Sequence, residues 1–206
     1  MKIAQKYSHL NGEEYLIVHH SQEYDEIKKV ISEIDANAHK TKVSDEKGRK
    51  GQLLYNPSTL NADFKEKLNR LGWWERRRDF YVSTDFEVVN KIEPLDFQEQ
   101  KAYLESLGHP LYNSYNQTDF IKNKIGIEVQ LGKYFAVTYD LFVKHLSFYS
   151  GQIINIGIEI VPTKAMQQHM SSGPPWFEKE IHNVMRHGRT NPPVPLLILG
   201  IEPDEV

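Results

Sequence analysis

The residues of this chain with the clearest chemical potential are two acids and an amide in one short segment. Eight residues separate Asp119 from Glu128, and Gln130 stands two positions beyond Glu128. Apolar and polar side chains alternate over residues 124–130, which predicts a strand with Glu128 and Gln130 on one side and Asp119 where a loop enters it. Neighbouring carboxylates repel unless a cation lies between them, and Mg²⁺ takes one or two carboxylates together with phosphate oxygens. The spacing predicts metal-assisted phosphodiester hydrolysis, although acids so spaced also simply cap or face solvent in other α/β proteins.

The elements that must position these residues alternate between helical and extended patterns. Helices are predicted at 22–34, 58–71, 96–107, 140–150 and 174–188. Strands are predicted at 80–83, 124–130, 152–161 and 195–201, with 135–139 as a continuation or hairpin partner of 124–130. This alternation predicts an α/β fold in which a central mixed β-sheet is flanked by helices. No linker or repeat is apparent, so residues 1–206 are expected to form a single domain.

The composition excludes several classes of protein. Cysteine is absent from the 206 residues, which excludes a thiolate nucleophile, a disulfide scaffold and a cysteine-based metal site. No stretch approaches the roughly 20 apolar residues of a membrane span. The N-terminus lacks the apolar run of a signal peptide, so a cytoplasmic location is expected. The net charge of −3 does not itself indicate a nucleic-acid partner, but a net value cannot reveal a local basic patch.

The acidic segment also carries a resemblance to a known family. Thr118-Asp119-Phe120, followed by the sequence IEVQLGKY at 127–134, resembles the active-site strand of type II restriction endonucleases of the BglII and BstYI type. These enzymes are a branch of the PD-(D/E)xK nucleases in which Gln replaces the usual Lys. The likeness is to the BstYI type in particular and extends over nearly the whole chain. Its further blocks lie at residues 7–12, 115–120, 139–145, 170–173 and 199–201.

The resemblance implies a restriction-endonuclease-like core and a Mg²⁺-dependent homodimer that cuts double-stranded DNA. Asp119, Glu128 and the backbone carbonyl of Val129 would bind the metal, and Gln130 would be the third active-site residue. Neutral Gln can only orient water through hydrogen bonds, so the metal would have to lower the pKa of that water. Glu75 is the candidate for a fourth acid, with a surface ion pair to the arginines at 76–78 as the alternative.

Candidate DNA contacts divide into phosphate contacts, which supply affinity, and base contacts, which read sequence. The basic run at 40–50 and the arginines at 76–78 are the candidates for phosphate contacts, with a solvated charged face as the alternative for each. Base contacts are expected from the end of the catalytic strand and from a loop before the last predicted helix. The candidate DNA-binding residues are Lys40, Lys42, Asn116, Lys133, Ser171 and Ser172.

Lys133 and Ser172 underlie the expected DNA sequence. The resemblance implies a palindrome containing GATC, cut to leave GATC 5′ overhangs. BglII has Asn at both positions, and Asn bonds adenine N6 and N7 together. Lys only donates and can bond N7 of either purine, and the short hydroxyl of Ser172 also tolerates either base. The expected site is therefore R-GATC-Y, with a degenerate outer base pair.

Other functions stay open beside an endonuclease of a restriction–modification system. A repair or junction-resolving nuclease on the same scaffold would be structure-specific rather than sequence-specific. A DNA-binding protein of this fold without activity is kept open by Gln130, because the usual Lys is missing. A protein-interaction module would make both acids incidental.

Overall fold

A six-stranded mixed sheet lies at the centre of the fold, in a computed structural model that describes residues 1–171 and 173–205. The strands are β1 (Lys2–His9), β2 (Lys42–Val43), β3 (Leu53–Leu54), β4 (Trp74–Val82), β5 (Tyr112–Lys122), β6 (Ile125–Val129), β7 (Ile156–Pro162) and β8 (Leu196–Glu202). The order across the sheet is β1-β8-β7-β6-β5-β4, while β2 and β3 pair separately. The central strands β6, β7 and β8 run parallel, and the other pairs are antiparallel.

Helices are placed along the chain between these strands. They are α1 (Gly12–His19), α2 (Ser21–Glu33), α3 (Pro57–Arg70), α4 (Phe86–Ile92), α5 (Phe97–Ser106), α6 (Ala136–Tyr139), α7 (His145–Ser150), α8 (Lys164–Gln167) and α9 (Phe177–Arg186). A π-helical turn, Asp140–Lys144, joins α6 to α7. Residues 136–150 therefore form one continuous helical segment, which is called the site helix below.

Apolar clusters cover both faces of the sheet. Along β8, Leu197 and Leu199 belong to the cluster that includes residues of α2 and α3, whereas Leu196 and Ile198 belong to the cluster of the site helix and α9. Strands buried on both faces are apolar almost continuously, as is typical of parallel strands covered by helices. This packing confirms the predicted fold class, a mixed sheet flanked by helices.

Most predicted elements are present close to their predicted positions. The helices predicted at 22–34, 58–71, 96–107 and 174–188 are α2, α3, α5 and α9, and the strands at 152–161 and 195–201 are β7 and β8. Their starts have local causes: Asn56 caps α3 ahead of a proline, and Asp96 forms a capping box at the start of α5. None of the helices in the described ranges is long and apolar enough to span a bilayer.

Two predictions about the site region are wrong. Residues 135–139 are not a strand: residues 136–139 form α6, the first turn of the site helix, because Val137 and Leu141, four residues apart, are both buried in the cluster with α9. Asp119 is not in a loop: it lies inside β5, an eleven-residue strand. The short strand predicted at 80–83 is the end of β4, whose ladder with β5 runs from Trp74 to Val82.

Candidate active site

The two predicted acids meet at the hairpin of β5 and β6. Phe120 on β5 pairs with Ile127 on β6, which places Asp119 next to Glu128 across the hairpin. The backbone N–H of Val129 donates a hydrogen bond to Oδ2 of Asp119 at 3.1 Å. The carboxylate of Asp119 is thereby held beside the peptide bond that joins Glu128 to Val129. Asp119 itself is exposed.

Glu128 is buried, with only 1% of its surface exposed. Its Oε2 accepts a hydrogen bond from Nζ of Lys144 at 2.7 Å, whereas its Oε1 has no hydrogen-bond partner within the described part of the chain. Burial raises the pKa of Glu128 well above its ordinary value, and the charge of Asp119 raises it further, against the opposing effect of Lys144. A buried carboxylate oxygen without a partner is a costly arrangement that a bound cation would relieve.

Gln130 is held on both sides of its amide. Its Nε2 donates to Oδ2 of Asp140 at 3.3 Å, and its Oε1 accepts from the backbone N–H of Lys133 at 3.2 Å. As predicted, Glu128 and Gln130 share one face of the strand, while the residues between and beyond them, Val129 and Leu131, are buried in the opposite core. The amide therefore has a fixed orientation at the end of β6.

The site helix supplies a charged pair that reasoning from the sequence missed. Lys144 lies 2.8 Å from Oδ1 of Asp140 in addition to its contact with Glu128. Burial raises the pKa of Asp140, and Lys144 opposes that rise. Burial alone would lower the pKa of Lys144, but the charges of Glu128 and Asp140 outweigh it and raise the pKa above its ordinary value. The i, i+4 spacing of an acid and a lysine in the predicted helix was the available signal.

A further buried acid, Glu159, lies beside Glu128 on β7. Residues 125–128 and 156–159 both read Ile-Gly-Ile-Glu, and the two copies pair in parallel register, with Glu128 opposite Glu159. Nε2 of His145 is 3.4 Å from Oε2 of Glu159. Burial raises the pKa of Glu159 well above its ordinary value and lowers that of His145 to about 3. The duplicated motif was the sequence signal for Glu159.

Glu75, the candidate fourth acid, lies on β4 at the rim of the same region. Its Oε2 accepts hydrogen bonds from Gln117 at 3.2 Å and from Lys65 at 3.5 Å, and not from the arginines that follow it. It lines a cavity of about 120 Å³ together with Asp119 and Val129. Across residues 1–171 and 173–205, no three acidic or histidine side chains converge closely enough to hold a metal ion.

The side-chain donors that fit a divalent cation are therefore Asp119 and Glu128. Asp119 is exposed, and Glu128 carries an oxygen without a partner among residues 1–171 and 173–205, so each has an oxygen to offer. Two carboxylates suit Mg²⁺, which keeps several waters and completes its octahedron with substrate phosphate.

Three of the predicted DNA-binding residues lie together. Lys42, Lys133 and Ser171 line one cavity of about 290 Å³, whose wall also includes Asn56 and Ser58 at the start of α3. The N-terminus of a helix favours anions, and the two lysines add positive charge to it. Ser171 is largely buried in that wall. Ser172, the other predicted serine, lies outside the described residues.

The other predicted contacts are placed differently. Nζ of Lys40 lies 5.0 Å from the ring centroid of Tyr55, beside a different cavity. Asn116 is buried, and its Oδ1 accepts a hydrogen bond from the hydroxyl of Tyr139 at 2.7 Å, so its side chain faces the site helix.

The arginines at 76–78 do not form one basic face. Arg78 points into the fold, where its guanidinium donates to the carboxylate of Glu93 and to the backbone carbonyl of Ser147, each at 2.7 Å. Its proposed role as a phosphate contact is therefore wrong: these bonds leave only 10% of its side chain exposed. Arg77 lies over the ring of Tyr115, 3.9 Å from its centroid, on an exposed part of the sheet.

Comparison with known proteins gives a consistent result. The model of the family "Restriction endonuclease BglII/BglIII" matches residues 4–201. A crystal structure of BglII complexed with a DNA 16-mer is similar with a TM-score of 0.67 at 18% identity, over 100% of this chain and 79% of that one. A crystal structure of free BglII is similar with a TM-score of 0.55 at 14% identity, over 98% and 81% of the two chains. No curated protein sequence matches this chain. The family model covers nearly the whole chain and the fold agrees with it, so the chain belongs to the BglII/BglIII family of restriction endonucleases, which are site-specific deoxyribonucleases.

Proposed function

We propose that this protein is a type II restriction endonuclease that hydrolyses double-stranded DNA with Mg²⁺ held by Asp119, Glu128 and the backbone carbonyl of Val129. The observation that carries the proposal is the buried Glu128, one of whose oxygens has no partner in the part of the chain that the structure describes, next to the exposed residue Asp119. Membership of a restriction endonuclease family supports the reaction class. The similarity of the fold to BglII complexed with DNA supports DNA as the substrate.

The side chains have distinct roles in this proposal. A bound Mg²⁺ supplies Lewis-acid chemistry, lowering the pKa of a water and neutralising charge on the phosphate. Asp119 is oriented by the N–H of Val129, and Glu128 is held from the side away from its free oxygen. Gln130 is neutral and fixed at both ends of its amide, so it orients water or phosphate by hydrogen bonding and contributes no charge.

The cavity between β2, α3 and the end of β6 is the proposed contact surface for DNA close to the cleavage site. Lys42 and Lys133 lie on its wall and would bind phosphate or base edges next to the acids. A palindromic site is read by two identical subunits, so the active form is proposed to be a homodimer. With Lys rather than Asn at position 133, the proposed site is R-GATC-Y, cut to leave GATC 5′ overhangs.

Digestion of unmethylated plasmid DNA with the purified protein and Mg²⁺ tests the proposal. Discrete fragments, whose sequenced ends all carry a GATC 5′ overhang within R-GATC-Y, are expected. A smear, or cutting confined to branched DNA, would instead identify a structure-specific repair nuclease. DNA binding without any cleavage would identify an inactive DNA-binding protein. A neighbouring gene for a DNA methyltransferase would support the restriction–modification role independently.

A further inference from the structure

Two residues of the site helix each hold one side chain of the catalytic strand. Lys144 donates to Oε2 of Glu128 at 2.7 Å, and Asp140 accepts from the amide of Gln130 at 3.3 Å. Lys144 and Asp140 also pair with each other at 2.8 Å. The four side chains therefore form a continuous chain of contacts that begins at Glu128 and ends at Gln130.

The geometry of strand and helix makes this matching of pairs possible. Glu128 and Gln130 are two residues apart on a strand, which separates them by about 6.6 Å. Asp140 and Lys144 are the first and last residues of the π-helical turn, and the 2.8 Å contact between them shows that they lie on the same side of the site helix. A single turn of helix thus spans the two strand positions, and each helix residue faces one strand residue.

Burial shows that this pair is part of the interior rather than a surface ion pair. Only 2% of the side chain of Asp140 and 15% of that of Lys144 are exposed. Surface ion pairs contribute little, whereas charges this deep are maintained only when each has well-placed partners. The removal of Lys144 would leave two buried carboxylates, Glu128 and Asp140, without their shared cation.

We propose that Lys144 and Asp140 are positioning residues of the nuclease site: Lys144 fixes Glu128 so that its other oxygen is free for the metal, and Asp140 fixes the amide of Gln130. The strand carries neutral Gln130 where other nucleases of the wider class carry lysine. Here the positive charge beside Glu128 comes from the helix instead. This inference rests on the proposed function and adds two residues to it.

The site helix is itself anchored, so the pair has a defined place. His145 follows Lys144 directly and packs on β7, with its Nε2 3.4 Å from Oε2 of Glu159. Its ring occupies the space over Gly157, where a side chain would collide with it. The helix is therefore in contact with the sheet at the residue next to Lys144.

The test compares Lys144→Ala, Lys144→Arg and Asp140→Asn with the wild-type protein in single-turnover cleavage and in DNA binding without metal. Lys144→Ala should slow cleavage about 10–100-fold, the usual effect of removing a side chain that orients a metal ligand. Asp140→Asn should slow it by more than about threefold, because the neutral side chain loses the ion pair with Lys144 and is a weaker acceptor for the amide of Gln130. DNA affinity should change less than about threefold, because neither residue contacts DNA in this proposal. Lys144→Arg should cleave faster than Lys144→Ala, since it keeps the positive charge.

Lys122→Ala is the matched control. Lys122 is a partly buried lysine whose Nζ lies 2.7 and 2.8 Å from the two carboxylate oxygens of Glu26 and 2.8 Å from a backbone carbonyl, so its loss reports the general effect of deleting such an ion pair. It should retain the wild-type cleavage rate at a temperature at which the fold is intact. If Lys144→Ala does not fold, Lys144→Met keeps the stem of the side chain and replaces it in the test.

The outcomes separate the two proposals. Cleavage by Lys144→Ala and Asp140→Asn within about threefold of wild type would overturn this inference and leave the proposed function standing. A loss of DNA affinity that accounts for the loss of cleavage would also overturn it, because Lys144 would then be a DNA contact. A wild-type protein that cuts no DNA with Mg²⁺ would instead refute the proposed function.

Discussion

Replacement of Gly157 by alanine should disturb both the fold and the active site, whereas the same change at Gly126 should not. The two glycines occupy the same place in the duplicated Ile-Gly-Ile-Glu motif and pair with each other across β6 and β7. A Cβ at Gly157 would lie 2.7 Å from Cγ of His145 and 2.7 Å from Cδ2 of Leu196. At Gly126 the nearest atom, Cγ2 of Ile154, is 3.2 Å away.

The size of the effect follows from these distances. His145 and Leu196 are both buried, so neither can swing aside, and overpacking of this kind costs about 1–3 kcal/mol. Alanine also restricts the unfolded chain more than glycine does, which stabilises the folded protein by about 0.4–1 kcal/mol. We therefore expect Gly157→Ala to lose about 1.3 kcal/mol of unfolding free energy, which corresponds to roughly 3–5 °C in Tm for a chain of this size. The same two terms nearly cancel at Gly126.

The assay pairs thermal and chemical unfolding with single-turnover cleavage below the unfolding range. Since His145 follows Lys144, movement of the ring also moves the residue that holds Glu128. A misplacement of about 1 Å can cost on the order of 100-fold in rate, so cleavage by Gly157→Ala should fall about 10–100-fold. Equal stability and activity for the two alanine variants would refute the claim that packing of the site helix on β7 positions the site.

Four further outcomes are expected. Asp119→Asn keeps an acceptor for the N–H of Val129, so its unfolding free energy should stay within about 1 kcal/mol of wild type while cleavage falls at least about 100-fold. A loss of cleavage that is explained by a loss of folded protein would contradict the assignment of Asp119 as a metal ligand. Lys133→Asn should shift cleavage toward A at the outer purine by about 1–3 kcal/mol, measured on duplexes that differ only in that pair, and unchanged preference would count against R-GATC-Y. Asn116→Ala should lower Tm through loss of the bond to Tyr139 and leave DNA affinity unchanged; weaker binding at full stability would make Asn116 a DNA contact. Without metal, the unfolding free energy should fall as pH rises above about 4.5, because the pKa of Glu159 is higher in the folded protein than in the unfolded chain. The stability that Glu159 contributes is complete below its unfolded-state pKa and is lost as pH rises through its folded-state pKa. Urea titrations from pH 5 to 8 should therefore show a weaker dependence of unfolding free energy on pH for Glu159→Gln than for the wild-type protein.

The strand β6, which leads into Gln130, could be predicted because its pattern is local. Alternation with period two determines that Glu128 and Gln130 share a face, and that Val129 and Leu131 lie in the core. The helix α2 follows in the same way from apolar spacing, and α3 and α5 follow from apolar spacing together with their N-terminal caps. In each case the signal is contained within about one turn or one strand of sequence.

The extended setting of Asp119 could not be predicted from apolar alternation. The first half of β5 is largely polar and exposed, because it pairs with β4 beyond the edge of the main core. This ladder is held by hydrogen bonds between backbone groups rather than by burial of side chains. Backbone hydrogen bonds do not require apolar and polar residues to alternate, so the sequence carries no signal for this part of the strand. Residues 135–139 are predicted as a strand, but the prediction fails there for a different reason. Val137 is buried together with Leu141, one helical turn later, and Leu141 lies outside the segment that is predicted as a strand.

The contacts around the acids depend on packing between elements. Lys144 reaches Glu128 only because the site helix lies across β6, and the order of strands decides that Glu159 is its neighbour. The duplicated Ile-Gly-Ile-Glu motif indicates two similar strands, but not that they pair in register. The membership of the chain in its family was apparent from the sequence because several blocks match in the same order, and the family model confirms it.

The position of a divalent metal ion in crystals of the protein tests the central claim most directly. Crystals soaked in Mn²⁺ should show an anomalous peak that touches a carboxylate oxygen of both Asp119 and Glu128 at about 2.1 Å, the distance typical of a hard cation bound by oxygen. The peak should be lost in Glu128→Gln crystals. A peak bound elsewhere, or wild-type crystals without one at this place while the protein cleaves DNA, would contradict the claim that these two acids hold the catalytic metal.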